Sequence, residues 1–282
     1  MTVTLRARGT DSLSLEEMQQ RLPTIFATAP HQSRSDRYVY ISTTEMLDHL
    51  RQHAFVPVEA RAAGSNDEDR RNFAKHTIRL RQAGIDAPRV GDTTFEVILR
   101  NAHDGTSSYQ ALAGLFRLVL NGMAVGNYLA PPIRVVHTGD RERQLDQVTA
   151  SVRAVLDQAP QVMEQVTAWK AIELRPEQQR TYAEEAHTIR FADSEGAVHT
   201  PIPPEQLLHP RRSADTGSSL WLTFQRVQEN TIRGGLSVQF RDPSTRRWRT
   251  VSTREVRNID RDIAINKALW NLTARTAERL AA

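Results

Sequence analysis

Three short runs, FVPVEARA (55–62), HTIRLR (76–81) and TFEVILR (94–100), constrain the fold more than anything else in this chain of 282 residues. In the second, Ile78 and Leu80 alternate with Thr77, Arg79 and Arg81; in the third, Phe95, Val97 and Leu99 alternate with Glu96, Ile98 and Arg100. Successive strand side chains point to opposite faces, so a period of two predicts half-buried strands with a basic outer face. Pro57 lacks an amide hydrogen and places the first run at a sheet edge or a strand start. Ahead of the runs, Ser42-Thr43-Thr44-Glu45 forms a capping box that opens a helix carrying Met46, Leu47, Leu50 and Ala54 on one face. The order of a helix and three strands suits an antiparallel meander.

The next stretch, NAHDGTSSYQALAGLFRLVLNGM (101–123), reads as a turn at Asp104-Gly105 followed by a helix, because Leu112, Leu115, Phe116, Val119 and Met123 recur at helical spacing. That helix is expected to lie across the sheet. Asn101, His103, Asp104 and Ser107 then mark a strand-to-helix junction, where side chains hydrogen-bond the turn and a helix N-terminus can meet phosphate. Beyond a proline-marked boundary at 127–139, helices are predicted over 140–158, over 161–173 and from Pro176. The proline-rich connector 199–212 leads to SSLWLTFQRVQENTIRGG, a helix closed by Gly234-Gly235, then to a hairpin of LSVQF, DPST and RRWRTVS. A last helix starts at Asp260 with Ile263, Leu269, Trp270 and Thr273 inward.

The fold class expected is therefore α+β: an antiparallel three-stranded sheet with a packed long helix, followed by a mainly helical C-terminal half with one β-hairpin near 236–251. In domain terms this is a polar N-terminal segment at 1–36, a helix-and-strand core at 37–130 and a helical region at 140–282.

The chain has no cysteine, which excludes disulfides, a thiolate nucleophile and Cys-ligated zinc. MTVTLRARGTDS lacks the apolar core of a secretory signal, so a cytoplasmic setting is expected. The most apolar stretch, Ala111 to Val125, is interrupted by Arg117 and falls short of the roughly 20 residues of a membrane span. A formal net charge of +4 and a pI near 9.7 are carried by 34 arginines and only three lysines. Guanidinium groups grip phosphate and stack on bases, which favours nucleic acid as partner, although a GC-rich genome produces the same ratio. Placement matters more than the ratio. Arg246, Arg247, Arg249, Arg254 and Arg257 surround Trp248, and Arg34 and Arg37 flank Tyr38 and Tyr40; both have the composition of a surface that neutralises phosphates and stacks bases.

His49 and His53 are four apart on the predicted helix, yet no glutamate lies between them and Arg51 does, so a surface or packing role is expected and no metal site. No P-loop, GxGxxG or GxSxG is present, and no cofactor is expected.

The segments HQSRSDRYVYIST, LRNAHDGTSSYQALAGLFRLVLNG, LLHPRR, LWLTFQRVQENTIRGGLS and REVRNIDRDIAINKALW closely resemble the YfjQ/YafZ-type proteins of prophages and plasmids, over roughly residues 30 to 275. That family is catalogued as a domain of unknown function, and the resemblance implies a mobile-element setting. In arrangement, a helix, three antiparallel strands and a long helix with basic strand faces is also similar to the core of Rad52-type single-strand annealing proteins. This second resemblance implies rings or filaments that hold single-stranded DNA, with Arg79, Arg81 and Arg100 lining a groove and the RRWR hairpin as a second contact.

The expectation is thus a non-enzymatic, oligomeric DNA-binding protein favouring single strands in annealing, recombination or replication. One alternative is an anti-restriction or anti-defence inhibitor whose arginines meet an acidic host protein. The other is a metal-dependent nuclease centred on His103 and Asp104.

Overall fold

The computed structural model describes residues 2–7, 11–29, 32, 40, 42–63, 73–83, 89–90, 93–103, 109–119, 123–135, 140–242 and 244–282, with only the backbone path at 89–90, 116–119 and 123–135. The chain divides into two compact units, residues 1–163 and 164–282.

The first unit contains strands β1 (Val3–Arg6), β2 (Phe55–Ala62), β3 (His76–Gln82), β4 (Arg89–Val90), β5 (Thr93–Asn101), β6 (Tyr109–Val119) and β7 (Met123–Val135). They form one seven-stranded sheet in the order β1-β2-β3-β5-β6-β7, with β4 paired beside β5. Every pairing is antiparallel. The three strands read from alternation are all present, but the sheet is larger than three strands: β1 and β4 add to it, and the expected long helix carrying Leu112, Leu115, Phe116, Val119 and Met123 does not form, residues 109–119 being β6 and Met123 the start of β7.

The reason lies in burial. Tyr109 to Leu115 are buried on both faces, so the run shows no apolar/polar alternation, and a continuous apolar run satisfies a helical period and a strand period alike. The open edge of β5 decides between them by offering a hydrogen-bond ladder, with Phe95 opposite Leu115, Val97 opposite Ala113 and Leu99 opposite Ala111. Pro57 has a related history. β2 is an interior strand, yet β1 pairs only with residues 59–62 of it, and Pro57 sits past that pairing at a register shift between Pro57 and Glu59. The proline thus occupies the part of β2 that needs no donor toward β1.

The polar N-terminal segment holds β1 and, at the helical candidate over Leu13 to Leu22, the helix α1 (Leu15–Arg21), capped by Ser14 accepting from the Glu17 amide. Helix α2 (Thr43–Gln52) starts where the capping box predicts, Ser42 Oγ accepting from the Glu45 amide at 3.2 Å. Thr43 of α2 reaches His76, whose face of β3 also carries Ile78 and Leu80, so α2 covers the apolar side of the sheet. Helix α3 (Arg141–Leu156) packs on β5, β6 and β7. It therefore belongs to the first unit, and the helical unit begins at 164 rather than 140.

The junction is spanned by α4 (Ala159–Ala171), and the second unit continues with α5 (Pro176–Phe191), α6 (Leu220–Arg233), the hairpin strands β8 (Ser237–Arg241) and β9 (Trp248–Ser252), and α7 (Ile259–Ala281). This half is mainly helical with one hairpin, as expected. Its core is aromatic: Trp169 lies 4.4 Å from Trp270 between ring centroids and 6.2 Å from Phe224, which in turn lies 5.3 Å from Trp221. Among the described residues, no helix is long and apolar enough to cross a membrane.

Candidate nucleic-acid interface

The hairpin at 237–252 turns one row of its side chains outward. Cross-strand pairs put Arg241 opposite Trp248 and Gln239 opposite Thr250, all exposed, while Val238, Phe240 and Val251 are half-buried. The alternation of β8 and β9 thus separates an inward apolar row from an outward polar row holding one large ring. Trp248 keeps 71% of its surface exposed, where a tryptophan ordinarily buries its ring. Arg246 and Arg247 are exposed at the turn, and Arg254 follows the hairpin; none of these three has a carboxylate partner among the described residues.

Asp242 organises the turn. Its Oδ1 accepts from the Ser244 amide and hydroxyl at 2.9 and 2.6 Å and from the Thr245 amide at 3.0 Å, while Oδ2 lies 3.1 Å from Arg249 Nε. These hydrogen bonds, the Ser244 hydroxyl first, together with the Arg249 charge hold its carboxyl down at about 2. Arg246 adopts a left-handed backbone conformation with φ 54°, which closes the turn at a position where a side chain other than glycine is strained. Of the hairpin residues singled out by sequence, Arg246, Arg247 and Trp248 come together, while Arg249 stands opposite Phe240 and is held by Asp242. Arg241 and Gln239 were missed, though pairing residues outward from the DPST turn brings them to the Trp248 face.

The strand arginines have a different setting. Arg79 is buried, with its Nε 2.9 Å from Glu96 Oε2 and its NH2 3.9 Å from Glu59 Oε2. Arg81 donates from Nε and NH2 to Glu96 Oε1 at 3.0 and 2.9 Å, and Arg6 donates to Glu59 Oε2 at 2.6 Å. Arg100 donates to Gln110 Oε1 at 3.4 Å. Burial alone would raise the Glu59 carboxyl, but the guanidinium groups of Arg79, Arg6 and Arg61 outweigh it and hold Glu59 below the usual carboxylate range. The basic face read from β3 and β5 is thus a row of arginines interleaved with Glu59 and Glu96 within the sheet.

The arginines of the LLHPRR and LWLTFQRVQENTIRGG segments are equally occupied. Arg212 lies 2.7 Å from Asp215 and 2.8 Å from Glu229; Arg233 meets the same Glu229 at 2.6 Å. Arg211 donates to Asn230 Oδ1 at 2.6 Å, and Arg226 donates to the carbonyls of Asp215 and Gly217 at 2.7 and 2.6 Å. Helix α6 is buried almost all round, polar residues included, because this network supplies the partners that buried polar groups require.

Asn101 and His103 come together with two residues that sequence did not single out, His76 and Thr43. Thr43 Oγ1 lies 3.4 Å from His76 Nε2 and 3.1 Å from His103 Nε2, and His103 Nε2 is also 3.2 Å from the Ile25 carbonyl. Asn101 pairs with His76 across the strands, and all four side chains are buried. Burial, then the neighbouring His103, lowers His76 to about 3, so the imidazole is neutral. Among the described residues no three histidine or acidic side chains gather as a metal site. His49 contacts Asp146 at 3.9 Å and His53 Nδ1 lies 3.0 Å from Arg153 NH2, both toward α3. Arg34, Arg37, Tyr38, Asp104 and Ser107 lie outside the described residues.

These features define a two-unit α+β protein with an ion-paired sheet and a basic aromatic hairpin. The chain belongs to the family described as Domain of unknown function (DUF932), whose profile matches residues 30–270. It is similar to the UPF0380 proteins YafZ and YfjQ of Escherichia coli (strain K12), each 40% identical over 259 residues that make up 92% of this chain and 89% of the relative. No solved structure matches the chain.

Proposed function

We propose that this chain is a DNA-binding protein of a mobile element that takes hold of single strands through the 237–252 hairpin, in annealing, recombination or replication. The reading rests on one observation: Trp248 stands 71% exposed on the outward row of the hairpin, directly across from Arg241, with Arg246 and Arg247 at the adjoining turn. An exposed ring among guanidinium groups suits a base stacked on the indole while its flanking phosphates are neutralised, and that combination needs neither nucleotide nor metal. A duplex offers no free base face, which is why single strands are preferred. The buried ion pairs of Arg79 and Arg81 and the network around Arg212 and Arg226 leave the hairpin as the better-placed cationic surface. Assembly of several chains along one strand belongs to the same proposal.

Fluorescence anisotropy with labelled single-stranded and duplex oligonucleotides tests it. The expected result is salt-sensitive binding, tighter for the single strand and weakened by Trp248→Ala. Absence of binding at low salt, or affinity that does not change as salt rises, removes the proposal. Sedimentation velocity with and without oligonucleotide tests the assembly.

A further inference from the structure

The segment that follows the hairpin is held in place by its backbone while its charged side chains face outward. The Gly235 amide donates to the Thr253 carbonyl at 2.8 Å, the Thr253 amide to the Leu236 carbonyl at 2.8 Å, and the Val256 amide to the Ile232 carbonyl at 2.8 Å. Arg190 of α5 donates from NH2 to the Arg254 carbonyl at 3.0 Å. Val256 is buried while Arg254, Glu255 and Arg257 are exposed, and these three line an open cavity of about 540 Å³. Within it Arg257 Nε lies 3.1 Å from Glu255 Oε2.

We infer that this cavity is a second, phosphate-binding subsite of the hairpin surface, so that a single strand is held at two points, a base on Trp248 and a backbone phosphate between Arg254 and Arg257. The inference rests on the hairpin reading above. Two guanidinium groups on a fixed backbone can take an anion without reordering the chain, and guanidinium forks match phosphate oxygens. Glu255 lies against Arg257, so its carboxylate competes with phosphate at the subsite.

The spacing fixes the length of ligand required. Trp248 and Arg254 are six residues apart along a segment that stays laddered to residue 253, which is about 20 Å at the roughly 3.3 Å rise of a strand. A stacked nucleic-acid strand rising about 3.4 Å per nucleotide covers that distance in about six nucleotides. Shorter oligonucleotides reach one point only. Longer ones gain the second contact as an intramolecular event.

The test compares labelled oligothymidylates of three and eight nucleotides on the full chain, its Trp248→Ala variant, its Arg254→Ala/Arg257→Ala double variant and its Glu255→Gln variant, with circular dichroism confirming that each is folded. The eight-nucleotide strand is expected to bind at least about tenfold tighter than the three-nucleotide one. The double variant should bring the long strand to the affinity of the short one and leave the short one unchanged, while Glu255→Gln should tighten the long strand alone. If the length advantage survives in the double variant, or the short strand weakens as much as the long one, the subsite does not exist. If neither strand binds the unaltered chain, the hairpin reading itself fails and the subsite with it.

Discussion

Arg81 clasps a single carboxylate oxygen of Glu96 with both Nε and NH2, at 3.0 and 2.9 Å, while the other oxygen of Glu96 lies 2.9 Å from Arg79. Glu96 is almost completely buried, and it neutralises two cations whose burial would otherwise be costly. Removing its charge leaves both guanidinium groups without that partner. Glu96→Gln is expected to cost about 3 kcal/mol of stability. Thermal and urea unfolding of the purified variant check it; an unchanged midpoint would mean that solvent already screens the pair.

The buried histidine pair predicts an acid response. His76 titrates at about 3 in the folded chain and near 6.5 when unfolded, so between these values the unfolded chain takes up a proton that the folded chain refuses. Stability should therefore be level above pH 6.5 and decline as pH falls below it, by at most about 1.4 kcal/mol per pH unit from this group. Glu59 adds to the loss only lower down, because its stabilisation is present above the unfolded carboxylate value and disappears as pH drops through its depressed folded value. Urea midpoints at pH 7.5, 6 and 5, for the chain and for His76→Gln, measure the first effect. A variant that retains the full slope between pH 6 and 5 would falsify this assignment.

At the hairpin, stability and binding should separate. Trp248 is exposed, so Trp248→Ala should change stability by no more than about 0.5 kcal/mol. Its single-strand affinity should nonetheless fall by about 1 to 3 kcal/mol, the value of one stacked base. Calorimetric unfolding beside an anisotropy titration shows both, and equal affinity in the variant rules out stacking on this ring.

Arg246 and Arg247 should act through charge alone. Replacing both with alanine is expected to reduce the slope of log affinity against log salt by about 1.4, at roughly 0.7 per phosphate contact on a single strand. Titrations at four salt concentrations give the slope; an identical slope would place the phosphates elsewhere.

Gly234 has φ 64°, and a Cβ there would come within 2.5 Å of the Arg254 carbonyl carbon. Neither the conformation nor the contact accepts a side chain. Gly234→Ala is expected to lower stability by about 2 kcal/mol or more and to weaken oligonucleotide binding with it, by displacing the root of the hairpin. A differential scan and one titration suffice, and a variant as stable as the parent would show that the segment at Arg254 can retreat.

The sequence exposed those parts of the fold where one side meets solvent or where a cap marks an end. Alternation located β2, β3 and β5, Ser42 and Glu45 located α2, and Gly234-Gly235 located the end of α6. It misled at Tyr109 to Leu115, where burial on both faces erases the period that separates strand from helix. For the candidate site, Trp248 and its neighbouring arginines were legible as composition. That Arg79 and Arg81 are spoken for was not, because Glu59 and Glu96 lie 20 and 15 positions away in the chain and meet them only through strand register. His76 and Thr43 carried no local signal at all, since nothing in a linear reading brings them to His103.

The root of the hairpin has a mechanical consequence. Its backbone is fastened to α5 through Arg190 and to the end of α6 through Gly235 and Leu236. The projection is consequently clamped at its base by two helices of the same unit, so a pull on its tip is shared between α5 and α6.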